Sequence, residues 1–175
     1  MRCDKSLVIL FGLAISQGCS HSGRDSDTSS AAATPPLVFD SVLLHRSNCL
    51  GTCPVYDVEV YGDGRVLYSG ESFVAVTGSR EGKIPPSSVD FIRRSLEQID
   101  FLNLRDSYAH ERDGCKVVAQ EYPTAEITFR RFPIVKHIVY YYGCMGSPNA
   151  DHVAWIARTI DDVAGSSVWV GWPQY

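Results

Sequence analysis

Apolar and polar positions along the chain fall into three regimes. Leu7 to Ile15 is an apolar run, Ser20 to Pro36 has almost nothing to bury, and from Leu37 onward the pattern is that of a folded domain. Leu37 to Arg46 reads as a strand with apolar character on both faces. Further on, Tyr56, Val58 and Val60 fall on one face and Asp57 and Glu59 on the other, the period of two that marks a half-buried strand over residues 55–61. Gly62-Asp63-Gly64 is a hairpin turn, since glycine reaches the positive φ a tight turn needs. Arg65 to Ser69 returns, and Ser72 to Thr77 is expected as a fourth strand.

Helical spacing then takes over. Beyond Pro85-Pro86, Val89, Ile92, Leu96 and Ile99 form one stripe, with Arg93, Arg94 and Glu97 largely off it. Ser87 is the expected cap, with Asp90 three residues on. Leu102 to Pro123 reads as a long irregular loop. A second hairpin follows: Ala125, Ile127 and Phe129 alternate with Glu126, Thr128 and Arg130, Pro133 marks the turn, and Ile134 to Tyr142 returns. Ser147-Pro148 is expected to open a last helix as N-cap and first position, with Val153, Ile156, Ala157, Ile160 and Val163 as its buried stripe. Val168 to Trp172 is apolar enough for a docked terminal strand. Two helical stripes beside two sets of strands predict an α+β fold: an antiparallel sheet with two amphipathic helices packed on it.

The first residues read as an address. Arg2 and Lys5 precede the apolar run, and Ser16-Gln17-Gly18 leads into Cys19, the three-part pattern of a bacterial secretory signal over residues 1–18. The run is well below the ~20 residues of a membrane-spanning helix, so cleavage is expected. Gly18-Cys19 resembles the lipobox of bacterial lipoproteins, in which the cysteine is lipidated and becomes the new N-terminus. Ser16 and Gln17 depart from its usual residues, and an ordinary cleavage after Gly18 is the alternative. Residues 19–36 then form a leash too polar and too small to repay ordering. The expected location is the cell envelope, with the anchor in a membrane. In a two-membrane organism, Ser20 resembles an outer-membrane sorting signal, which places the domain in the periplasm. Residues 37–175 remain for a single domain, within the ~100–200 residues usual for one.

Cys49, Cys53, Cys115 and Cys144 lie in that domain, and in an exported protein they point to disulfides. If the first two strands form a hairpin, Cys49 and Cys53 face each other about Gly51. Cys115 and Cys144 flank the second hairpin and would close its open end. Cys49–Cys53 and Cys115–Cys144 are therefore the expected pairs. Two alternatives stay open: a zinc site using all four thiolates, and a redox-active Cys49–Cys53 pair. His110-Glu111-Arg112-Asp113 brings titratable groups together in the long loop, as acid–base chemistry requires, although a solvated charged loop has the same composition. His45 offers a further imidazole, and His137 and His152 read as surface or packing residues. Tyr140, Tyr141, Tyr142, Trp169 and Trp172 offer aromatic surface or, more simply, core. A net charge of −4 without basic runs excludes a broadly basic nucleic-acid binder. No nucleophile elbow, zinc-protease helix or phosphate loop is present, and no cofactor is expected.

Cys49-x-Gly51-x-Cys53-Pro54-x-Tyr56, followed by Gly62-Asp63-Gly64 and Val66-x-Tyr68, resembles the bacterial domain-of-unknown-function family 6438, over about Val42 to Val170. The resemblance implies an exported protein or lipoprotein and no known activity, so no catalytic residue is carried over. Cys49, Gly51, Cys53, Pro54 and Tyr56 transfer as motif positions only. The reading that follows is an envelope lipoprotein whose non-catalytic domain binds a protein or cell-wall partner or serves a structural role. Its competitors are an enzyme centred on Cys49–Cys53 or the 110–113 loop, and metal binding by the four cysteines.

Overall fold

Val42 and Leu44 of β1 (Ser41–Arg46), Val58 and Val60 of β2 (Val55–Tyr61), and Val66 and Tyr68 of β3 (Arg65–Ser72) point to one side and are fully buried. In the computed structural model, which describes residues 36–171, these strands form an antiparallel meander that β4 (Gly78–Lys83) completes. The expected signal at 1–18, Cys19, Ser20, the leash up to residue 35, and Trp172 lie outside the described residues. Helix α1 (Pro86–Gln98) is followed by two short strands, β5 (Ser107–Tyr108) and β6 (Val117–Val118). The second hairpin is β7 (Thr124–Arg131) and β8 (Ile134–Tyr141). After it come β9 (Cys144–Met145), α2 (Ala150–Ala164) and the one-turn α3 (Ser167–Val170).

The hairpin docks on the meander through β1. The sheet has seven strands in the order β4-β3-β2-β1-β7-β8-β5, and β6 pairs with β9 in a separate two-stranded piece. All neighbours are antiparallel except β5 with β8. The inner face of the large sheet carries the core. There Phe129 lies 6.4 Å from Phe39 and 6.3 Å from Phe101, and Ile92, Leu96, Val153, Ile156 and Ile160 are buried with them. The fold is the expected α+β one, and both helical stripes are where spacing put them, with Val89 and Val163 at their half-buried margins.

Several local expectations are corrected. Residues 73–77 are not a strand: Phe73 takes a left-handed φ of 54°, and the segment bends back over Gly70. Its backbone partners belong to α3, through Ala75 N–H to Val170 O and Val76 N–H to Trp169 O (2.9 Å each). The true fourth strand is the polar segment that follows, an edge strand beside β3 whose residues are exposed on both faces apart from half-buried Gly82. The described part of the expected terminal strand is instead the helical turn α3, whose Trp169 ring stacks 5.1 Å from Tyr68. Ser87 caps nothing. Helix α1 starts at Pro86, a favoured first position, and Asp90 pairs with Arg93 and Arg94. Likewise α2 starts at Ala150 behind Asn149, which accepts the left-handed φ of 65° that the approach needs, while Ser147 Oγ donates to Asp113 O. The first strand begins at Ser41, because the chain before Asp40 turns away from the sheet toward α1, where Leu37 N–H reaches Glu97. The long loop is less irregular than expected, since it contains β5 and β6.

Both disulfides pair as expected. Cys49–Cys53 spans 5.6 Å between Cα atoms and Cys115–Cys144 spans 5.1 Å. They close loops of very different length, with sequence separations of 4 and 29 residues. Loop-closure entropy of the unfolded chain then gives about 2 kcal/mol for the first and about 3.5 kcal/mol for the second. In urea unfolding, Cys115→Ala/Cys144→Ala should cost more than Cys49→Ala/Cys53→Ala by about 1–2 kcal/mol. Equal losses would show that native-state contacts, and not chain entropy, set the effect.

Candidate functional site

The cysteine motif lies at one end of the large sheet, where β1 ends, β2 begins, and β7 and β8 meet across Thr124 and Tyr141. Gly51 has a φ of 153°, outside the comfortable range of other residues, which lets the chain reverse inside the five-residue disulfide loop. The loop is tied back to the sheet through Ser47 N–H to Thr124 O and Thr124 N–H to Ser47 Oγ, both 3.0 Å. Cys53, Pro54 and Tyr56 point inward and are buried, whereas Leu50, Gly51 and Thr52 face solvent.

Beneath the loop is a buried ionic knot. Arg46 falls on the inward register of β1, after Val42 and Leu44, and is only 5% exposed. Asp161 falls inside the apolar stripe of α2 and is 4% exposed. Arg46 donates from Nη2 (2.7 Å) and Nε (3.2 Å) to Asp161 Oδ2, and from Nη1 to the Tyr142 hydroxyl. The other carboxylate oxygen accepts from Tyr56 OH (2.9 Å) and Ser166 Oγ (2.8 Å). Five side chains from β1, β2, the end of β8 and both ends of the α2–α3 turn thus satisfy one another. For Arg46, burial works against the charge, but Asp161 and the neighbouring hydroxyls outweigh it and raise the pKa. The Tyr56 phenol is pushed well above its usual range by burial and by the Asp161 charge, with Arg46 opposing.

This knot is structural chemistry, not a substrate pocket. Ser47, Pro54, Pro123 and Val170 surround it, and the pit they leave is about 10 Å³, room for the centre of one water. The motif tyrosine therefore has a definite job: it carries the second oxygen of Asp161. Arg46, Asp161 and Ser166 were not singled out from the sequence, and Tyr142 was read only as aromatic surface or core. The available signal was a charge at a core-facing position of both a strand and a helix, with opposite signs.

The other sequence candidates resolve separately. The Asp113 carboxylate accepts from Ser107 Oγ (2.7 Å) and from the backbone N–H groups of Ala109 and His110 (3.0 Å each), which lower its pKa. It braces a helical turn, and His110, Glu111 and Arg112 lie exposed around it without converging. With the cysteines joined in pairs, the thiolates a zinc site needs are consumed, and among the described residues no cluster of His, Cys, Asp and Glu is arranged to hold a metal. Cys49–Cys53 connects two strands instead of opening a helix, and Cys53 is buried, which is poor placement for thiol exchange. His45 and His137, the latter read as a surface or packing residue, belong to a polar row across the outer face of the sheet. His45 Nδ1 meets Asp57 at 2.8 Å, and His137 bridges Thr128 (2.9 Å) and Glu126 (3.3 Å). His152 is exposed on α2. Tyr140 packs edge-on against Tyr142 in the core, and Tyr141 lies half-buried on the outer face.

The model of a family described as a domain of unknown function, DUF6438, matches residues 40–164. The chain belongs to that family. The match runs from the approach to β1 through the end of α2, so the DUF6438 region contains both disulfides, the motif and the Arg46–Asp161 pair. It begins slightly before the span expected from the motif and stops short of α3, leaving Ser166 and Trp169 outside it. No curated protein matches the chain.

Two measurements test the knot. Asp161→Ala strands Arg46 in the interior and should cost about 3–5 kcal/mol, while Arg46→Met/Asp161→Leu should lose much less than the sum of the single changes. Additive losses would mean that the two residues act independently. Tyr56→Phe removes a hydrogen bond to a charged group, a loss of about 1.5–3 kcal/mol at neutral pH. Because the folded phenol is held above its unfolded value near 10, its contribution is complete below about pH 10 and declines as pH rises toward the folded value. The stability gap between wild type and Tyr56→Phe should therefore hold up to about pH 10 and narrow as pH rises above it. A constant gap would show that the phenol does not sense Asp161.

Proposed function

We propose that this DUF6438 protein is a bacterial envelope lipoprotein, anchored by lipid at Cys19, whose folded domain is a non-catalytic binding module for a protein or cell-wall partner. The observation that carries the reading is the tip of the cysteine loop. Leu50 is 75% exposed beside exposed Gly51 and Thr52, on a loop closed by a disulfide and hydrogen-bonded to the sheet below. An apolar side chain held in a fixed geometry contacts a partner without the ordering cost of a free loop. The groups beneath it are engaged with one another, which favours presentation of a surface over turnover of a substrate. The signal pattern and the leash support export and anchorage, with the outer membrane, periplasmic side, as the location that Ser20 favours.

Metabolic labelling with a palmitate analogue should mark wild type and not Cys19→Ser. A photo-crosslinking residue at Thr52 should capture a defined envelope component that the same residue at Arg94, on the exposed side of α1, does not capture. Equal capture at both positions would remove the loop as a contact site, and an unlabelled wild type would remove the anchor.

A further inference from the structure

The end of the sheet opposite the disulfides carries an apolar tip. The β7–β8 turn presents Phe132, 91% exposed, with Val135 (66%) and Ile134 also exposed. Val38, in the segment leading into β1, is exposed at the same end. The turn is fixed to that incoming segment through Asp40, whose N–H donates to Arg130 O (2.7 Å) and whose carboxylate accepts from Phe132 N–H (2.8 Å). A soluble domain gains nothing by holding a phenyl ring in water at the point of a braced hairpin.

We propose that this tip lies in the phospholipid interface of the membrane that carries the protein, with Phe132 and Val135 among the headgroups and upper acyl chains. The proposal rests on the lipid anchor at Cys19. A leash of the composition expected for the 18 residues from Cys19 to Pro36 would span on average about 20–25 Å. They join the domain at residues 36–40, beside the tip. The cysteine loop lies one strand length farther off, about 25 Å. The tip is therefore the end that the leash holds against the bilayer. Once tethered, it meets lipid at an effective concentration in the millimolar range, so a few apolar side chains suffice where they would not in a free protein. Charge agrees with this. Exposed Arg131 flanks Phe132, as suits anionic headgroups, while Asp63 at the same end is paired with Arg65 (2.9 Å) and Asp40 is engaged by backbone N–H.

The test uses the full mature protein, purified with its lipid, its acylation established by intact mass, and reconstituted in phosphatidylethanolamine–phosphatidylglycerol vesicles. An environment-sensitive fluorescent amino acid replaces Phe132 in one protein and Leu50 in another. The label at 132 should shift to the blue on reconstitution and lose emission when the lipids carry brominated chains, and the label at 50 should do neither. A label at 132 that stays water-exposed in acylated protein overturns the tip proposal alone, and leaves the tip as a surface for some protein. An unmodified Cys19 overturns the anchor, and the tip proposal with it. A double change, Phe132→Ser/Val135→Ser, should keep the melting temperature and abolish the protection of a label at Ile134. Protection that persists would also overturn the proposal.

Discussion

The charge pair between Arg46 and Asp161 sets the relation between sheet and helix. Hydrophobic burial would hold α2 against the inner face in many rotations and slides of similar energy, because Val, Ile and Ala make non-directional contacts. An ion pair stripped of water has no such tolerance. It is worth having only when every lone pair and proton finds a partner, and the two hydroxyls on Oδ1 together with the guanidinium on Oδ2 supply that condition. One position of α2 satisfies it. From that position follow the turn into α3, the contact of Trp169 with Tyr68 and the anchoring of residues 75–76.

The sheet gives the domain two unlike ends. One is stiffened by both disulfides and by the knot, and its outermost residues form a short closed loop. The other has the segment leading into β1, the open turns after β2 and β7, and a projecting aromatic ring. Between them lie a helical face that is fully occupied and an outer face of histidines, carboxylates and arginine in cross-strand pairs. The exposed Leu50 and Phe132 thereby lie at opposite ends of the sheet.

Much of this was legible because period and burial coincide. β2, β3, β7 and β8 alternate, and the helical stripes of α1 and α2 are continuous, so propensity and packing agree at these segments. The cysteine pairing followed from hairpin topology. Failures occurred where a segment answers to something distant. Residues 73–77 look like a strand by composition but spend their backbone bonds on α3, whereas Gly78–Lys83 has no apolar signature and is a strand because β3 offers an edge. Ser147 and Ser87 resemble caps, yet Ser87 already lies inside α1, and the Ser147 hydroxyl donates to Asp113 O instead of capping α2. Arg46 and Asp161 are separated by 115 residues, and nothing local to either names the other.

The order of strands also has a consequence in time. β1 lies in the middle of the sheet, between β2, its neighbour in sequence, and β7, whose residues follow it by some eighty positions. A nascent chain that has completed β4 can build the meander, but one long edge of β1 then stays bare, with Val42 and Leu44 beside unpaired amides. Such an edge invites pairing with another chain until the hairpin arrives. Helix α2, which must also deliver Asp161 to Arg46, comes later still. The fold closes only when nearly the whole domain is present, so its assembly is governed by the last third of the chain and its hazards by the first.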